Sequence, residues 1–214
     1  MLLVRHGQAS FGADDYDVLS ATGWAQSRVL GRFLRDLTPG AVLHGDMRRQ
    51  RETAEAMTEG AGWDVVPEVD PGWNEFDHIG VISRAPELAA ELSDRRAFQR
   101  AFVEATARWS GGAHDDEYDE TWVAFVTRIR GALDRTCARN GVSVVSSSGG
   151  PIAVACATLV DPEASADELP RLWNAFNTVS ANAAVTRVLV GSTGRRMLTF
   201  NEHTHLPRDL VTYR

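Results

Sequence analysis

Three short runs of this chain carry residue types that could bind and transfer a charged group. Arg5-His6-Gly7 follows the first β-like run, Arg48, Arg49 and Arg51 follow His44-Gly45-Asp46, and Ser147-Ser148-Gly149-Gly150-Pro151 follows the run Val142–Ser146. Arginine stays charged at physiological pH, and its planar fork of N–H donors matches the oxygens of a phosphate. A glycine-rich helix start adds free backbone N–H groups and the positive end of the helix dipole. Gly7 permits a tight turn and close approach of a ligand to the backbone. The three arginines oppose the dipole of the helix they open, by about 0.3–1 kcal/mol each when exposed, and Asp46 offsets part of that. A bound anion would settle the conflict; arginines splayed into solvent are the bland alternative. Together the runs suit a phosphate.

The elements that must position these runs alternate between strand and helix. Leu2–Val4, Ala41–Leu43, Val142–Ser146, 184–190 and 196–200 read as strands. Ser20–Leu37 reads as a helix with Trp24, Ser27, Leu30, Phe33, Leu34 and Leu37 on one face. Met47–Thr58, with Asp46 as N-cap, is the next helix, and residues 83–110 are helix-rich. Thr121–Arg139 carries a buried stripe of Trp122, Phe125, Val126, Ile129, Leu133 and Cys137, and Pro151–Leu159 opens with proline near its first position. This alternation predicts an α/β fold with a mostly parallel sheet covered by helices. In such sheets ligands bind beyond the carboxyl ends of the strands, where all three runs fall.

Composition narrows the function classes. A chain of 214 residues, 43% hydrophobic and 24% charged, suits one globular domain. A net charge of −7 argues against general nucleic-acid binding. The longest apolar stretch, Ile152–Val160, is far short of a membrane span, and the N-terminal residues enter a strand pattern without a leader. The expectation is a cytoplasmic protein, with Cys137 and Cys156 as buried reduced thiols. All 22 basic residues are arginine, so lysine chemistry, including Schiff bases and a Walker lysine, is absent.

Five ordered blocks resemble the histidine phosphatase superfamily, the phosphoglycerate-mutase-like proteins. They are Leu3-Val4-Arg5-His6-Gly7, with Leu19–Ser27 after it, then Asp46–Ala54, Trp73-Asn74-Glu75-Phe76-Asp77, Glu120-Thr121 ahead of Phe125 and Arg128, and Ser148-Gly149-Gly150. The resemblance covers nearly the whole chain. It implies a three-layer α/β/α sandwich as a single domain over 1–214, with a helical insertion at roughly 83–120. It also implies that His6 attacks phosphorus to give a phosphohistidine, which water then hydrolyses. By the same resemblance Arg5 and Arg49 clamp the phosphoryl oxygens, and Glu75 protonates the leaving oxygen and later activates the water. Trp73 and Phe76 beside Glu75 would raise its pKa. Phosphate and substrate contacts then fall on Arg5, Gly7, Ser10, Arg49, His78, Ser148 and Gly149. No metal or other cofactor is required, because the arginines supply the positive charge. The expected partner is a small phosphorylated substrate or inorganic phosphate, without nucleic acid or membrane, and a homodimer is compatible with the resemblance.

One position departs from the family. A second histidine normally stands immediately before the Gly-Gly, and here that residue is Ser148. A neutral hydroxyl can still donate, but charge-assisted hydrogen bonds are roughly twice as strong. Loss of a well-placed donor costs about 10²–10³ in rate, so the expectation is a slow phosphatase. His78 could reach the same pocket, although a half-exposed loop histidine is the blander reading. His44 reads as a strand-end residue and His114 as part of a solvated acidic loop. His203 and His205, with Asp209 beyond, are compatible with metal ligation, but the H-x-H spacing alone is weak.

Family mutases carry Glu-Ser-x-Trp-Asn after Arg-His-Gly, whereas this chain has Gln8-Ala9-Ser10-Phe11-Gly12, which disfavours a glycolytic mutase. Three readings follow, in order. The first is a metal-independent phosphomonoesterase using His6. The second is a phospholigand-binding or scaffold protein that has lost turnover. The third is another hydrolase, metal-dependent through His203 and His205 or serine-based through Ser147 or Ser148. The serine version lacks the G-x-S-x-G elbow.

Overall fold

The computed structural model describes residues 1–10, 17–85 and 95–213, and the statements below concern those residues. Six strands form one sheet: β1 Leu2–Arg5, β2 Pro39–His44, β3 Glu68–Val69, β4 Val142–Ser147, β5 Val185–Gly191 and β6 Gly194–Glu202. Their order is β3-β2-β4-β1-β5-β6. The first four run parallel, and β5 is antiparallel to both β1 and β6. The register sets Arg5 beside Ser147 and His44 beside Ser146. The chain therefore leaves β1, β2 and β4 at the same carboxyl end of these parallel strands, carrying the three chemistry-bearing runs to one place.

Seven helices cover the two faces: α1 Ala21–Phe33, α2 Arg48–Ala61, α3 His78–Ser83, α4 Arg95–Ser110, α5 Trp122–Cys137, α6 Gly149–Val160 and α7 Pro170–Asn177. Alternation along the strands divides the core. Leu2, Val4, Val42 and Val144 pack with Leu30 and Leu34 of α1 and Ala54 and Met57 of α2. Leu3, Leu43 and Val145 face the other way, onto side chains from α3 to α7. The expected three-layer α/β/α arrangement is what the structure shows. Behind β4 the second core contains an aromatic group in which Phe76 stacks on Trp109 at 4.7 Å and meets Phe125 and Trp173 edge-on. No described helix is long and apolar enough to cross a membrane.

Several element-level expectations need correction. The first helix stops at Phe33 rather than Leu37, because the Leu34 N–H turns back onto the carbonyls of Leu30 and Gly31 and the chain leaves helical geometry. Its buried face is also rotated, to Gly23, Gln26, Ser27, Leu30 and Gly31, with Phe33 47% exposed. The cause is a close helix crossing: a Cβ on Gly31 would overlap Met57 O, and one on Gly60 would lie 2.7 Å from Arg28 O. Small residues thus take the contact, and the aromatics flank it. Asp46 does not cap α2; Met47 is the N-cap residue and makes no side-chain cap bond. The Arg48 N–H instead donates to Asp17 Oδ2 at 2.8 Å. Thr121 caps α5 as its sequence suggests, accepting from Ala124 N at 3.1 Å. Pro151 is the third residue of α6. The helix α7, the short β3 and the start of α3 are additions to the sequence reading. Of the segment expected to be helical over 83–120, residues 86–94 lie outside the described residues, as do Phe11 and Gly12. Both thiols are free, but only Cys156 is buried, which pushes it up to about 12; Cys137 is half-buried.

Candidate active site

His6 lies one residue beyond β1, where its N–H donates to Ser147 O at 2.8 Å. It is 5% exposed, and Nδ1 is 2.7 Å from Gly7 O. A carbonyl only accepts, so Nδ1 carries the proton. Nε2 is left as the acceptor, and Arg49 Nε donates to it at 3.2 Å. Burial, and then the charges of Arg49 and Arg5, hold the His6 pKa well below 6.5. The ring is therefore a neutral imidazole with its Nε2 lone pair aimed at a guanidinium, the form a nucleophile needs. Asn182 Nδ2 donates to His6 O at 3.1 Å, and Ala183, at φ +56°, donates its N–H to Arg5 O at 3.0 Å.

Arg49 is fixed from its far side. Its Nη1 donates to Asp17 Oδ1 at 2.6 Å, the same carboxylate that accepts from the Arg48 N–H. Arg48 and Arg51 pair with Glu52 and Glu55 one turn on. An internal carboxylate thus takes up part of the positive charge at the start of α2 that the sequence reading assigned to a bound anion. Arg5 donates through Nη1 to Ser180 O.

Glu75 is delivered by a backbone held on several sides. Trp73 O accepts from Ser147 Oγ at 2.7 Å and from Gln50 Nε2 at 3.3 Å. Arg128, gripped through both nitrogens by Glu120 at 2.7 and 2.8 Å, donates Nη1 to Gly72 O and Asn74 O. The family block at Glu120 and Arg128 therefore acts through the segment that carries Glu75. Glu75 Oε2 accepts from Gly150 N at 3.1 Å. Burial raises its pKa above 4.5, against the lowering pull of that N–H, of Arg49 and of Arg5. The α6 N-terminus, expected to offer its N–H groups to a ligand, gives this one to Glu75. A Cβ on Gly150 would overlap Glu75 Oε1.

Arg5, His6, Arg49, Glu75, His78 and Gly149 line one cavity of about 400 Å³. Phe76, Ile79, Gln99 and Phe102 add to its wall, with Asn177, Thr178, Ser180 and Tyr213. Burial, then Arg49, lowers the His78 pKa below 6.5. Three of the expected contact residues are not in the lining. The close approach at Gly7 is to α1: its added Cβ would lie 2.5 Å from Gly23 O. Ser10 donates its N–H to Val18 O. Ser148 is fully buried, and its Oγ accepts from Gln50 Nε2 at 2.8 Å. His203 and His205 bond to Asn201 O and Ala183 O, and His205 stacks on Phe33 at 5.1 Å. Among the described residues no group of three or more His, Cys, Asp or Glu is placed to hold a metal ion.

Asp17, Gln50, Phe102 and Tyr213 were missed by sequence reasoning. Only the excess of arginine at the start of α2 signalled one of them, by demanding a counter-charge.

A parallel-sheet sandwich with histidine, two arginines and a glutamate at the strand ends defines a phosphate-handling class of α/β protein. Residues 1–203 match the model of the histidine phosphatase superfamily, branch 1, and the chain belongs to that family. It is 28% identical over 182 residues to the probable phosphoglycerate mutase GpmB of Erwinia tasmaniensis, covering 80% of each chain. Its fold is similar to a mycobacterial glucosyl-3-phosphoglycerate phosphatase, with a TM-score of 0.62 at 20% identity over 94% of this chain and 98% of that one. It is also similar to a phosphoserine phosphatase of Entamoeba histolytica, with a TM-score of 0.69 at 16% identity over 96% and 98%.

Proposed function

We propose that the protein is a metal-independent phosphatase that hydrolyses small phosphomonoesters through a phosphohistidine on His6. The observation that carries this reading is the protonation pattern of His6: Nδ1–H is committed to Gly7 O, and Nε2 is an unprotonated acceptor in the cavity that Glu75 shares. His6 Nε2 attacks phosphorus, and the bond from phosphorus to the leaving oxygen breaks. Glu75, whose pKa burial raises, gives that oxygen its proton. Water then attacks the phosphorus–nitrogen bond while the Glu75 carboxylate takes its proton. Phosphate and a neutral His6 are released. Arg49 and Arg5 leave their present partners to hold the phosphoryl oxygens, where fixed positive charge stabilises the transition state.

Within the family the chain falls in a subgroup with serine in place of the second histidine. Burial of Ser148 against Gln50 supports slow turnover. The same observation favours a second reading, a phospholigand-binding protein of this fold that does not turn over.

The test is hydrolysis of an aryl phosphate in excess chelator by the natural protein and by His6→Ala. The expected result is activity that persists with chelator, vanishes in the variant and leaves an acid-labile phosphate on His6. Activity surviving His6→Ala would sink the mechanism. Thermal stabilisation by phosphate without hydrolysis would favour the binding reading.

A further inference from the structure

The cavity lining divides into a charged cluster and an uncharged remainder. Arg5, His6, Arg49 and Glu75 are all engaged in the proposed phosphoryl chemistry. Beyond them the described lining holds no lysine, arginine or carboxylate. Its apolar members run from Phe76, 2% exposed, through the half-buried Phe102, to Ile79 and Tyr213 at 67% and 55% exposure. Ile79 and Tyr213 present large apolar side chains to solvent beside a phosphate-sized cluster of cations. The undescribed runs 11–16 and 86–94 contain no lysine or arginine, and the side chains of Arg95 and Arg96 lie outside the described ones. Burial and then Arg49 lower the His78 pKa, which disfavours a positive charge there.

Resting on the phosphatase reading, we infer that the leaving group of the substrate is uncharged and largely apolar, an aryl or alkyl phosphate, with Phe102, Ile79 and Tyr213 forming its subsite. A carboxylate on the leaving group would come near Glu75 with no cation of its own among the described lining, an unfavourable arrangement. The relatives described above are named for carboxylate-bearing phosphoesters, phosphoglycerate or phosphoserine, so this inference sets the chain apart from them. An apolar leaving group would instead cover the rings and the isoleucine. Removing about 60 Å² of apolar surface from water corresponds to about tenfold in affinity.

Binding and turnover are read separately. Calorimetry on the natural protein compares 1-naphthylmethylphosphonate with the phosphonate analogue of 3-phosphoglycerate, neither of which can be hydrolysed. The aryl compound is expected to bind at least about tenfold tighter. Ile79→Ser, at an exposed position where folding is little affected, is expected to narrow that ratio by about threefold through the aryl compound alone. Equal or tighter binding of the acidic analogue would overturn the inference. Binding of neither would overturn it as well. In parallel, hydrolysis of 1-naphthyl phosphate reads the chemistry: tight aryl binding without hydrolysis would defeat the phosphatase reading and leave the subsite standing.

Discussion

The side-chain amide of Gln50 donates to the hydroxyl of Ser148 at 2.8 Å, and neither side chain is reached by solvent. The position at which the sequence resemblance leads one to expect a second histidine is thus packed against a glutamine. A ring at position 148 would meet the Gln50 amide. Ser148→His alone is therefore expected to lower stability by about 1–3 kcal/mol, the usual penalty of overpacking. Ser148→His with Gln50→Ala is expected to recover that loss and to hydrolyse aryl phosphate at least about tenfold faster than the natural protein, by restoring a charge-assisted donor. Thermal melts and single-turnover rates decide it; a single variant as stable as the natural protein would show that Gln50 does not fill that space.

Opposite pKa shifts in His6 and Glu75 set the pH dependence. His6 is held well below 6.5 and must be neutral to attack, so the acidic limb of kcat/KM lies below that value. Glu75 is raised above 4.5 and must be protonated to serve as acid, so kcat/KM falls as pH rises through its pKa. The optimum is expected on the acidic side of neutrality once the ionisation of the substrate itself is corrected for. Glu75→Gln is expected to lower the maximum and erase the alkaline limb, read from a full pH profile with an aryl leaving group.

Gly150 is where Glu75, the proposed general acid, and the start of α6 touch. Gly150→Ala would place a Cβ against Glu75 Oε1 and 3.0 Å from the Phe76 ring. The carboxyl group must then swing away from the cavity. A fall of about 10²-fold in kcat is expected, as for other displacements of about an ångström, together with a loss of about 1–3 kcal/mol in stability. Steady-state kinetics beside a denaturant titration separate the two effects. An unchanged kcat would mean that Glu75 does not act from its observed position.

Asp17 both orients Arg49 and accepts the first N–H of α2. Its carboxylate also competes with any phosphate for the Arg49 guanidinium. Asp17→Asn is expected to tighten phosphate binding several-fold, because a nearby negative charge is removed, while lowering kcat, because Arg49 loses its rear support. Weakening of the helix start is expected to cost about 0.5–2 kcal/mol. Calorimetry with phosphate tests the sign: weaker binding would show that orientation outweighs charge at this arginine.

Strand ends, helix cores and the convergence of His6, Arg5, Arg49 and Glu75 on one cavity were legible because each is written locally, as an alternating run or a motif that follows one. The face of α1 was not, because Gly31 and Gly60 decide it through a helix crossing that hydrophobic periodicity does not encode. The cap of α2 was misassigned to Asp46 because the acceptor, Asp17, stands 31 residues before Arg48. Ile79, Phe102 and Tyr213 are isolated residues in unrelated segments, and only the topology gathers them around one cavity. The glycine run after β4 suggested N–H groups free for an anion, whereas the structure gives one of them to Glu75.

The placement of β1 between β4 and β5 also governs how the molecule must be made. Leu2 pairs with Val144 on one side and Arg187 on the other. The strand that carries His6 therefore cannot find either neighbour until most of the chain has been threaded into position. Sequence-distant pairings of this kind are the slow ones, since chain closure must precede any gain from contact. His6 stands at the end of that strand, so intermediates that have formed only the α1–α2 pair are expected to lack the assembled cavity.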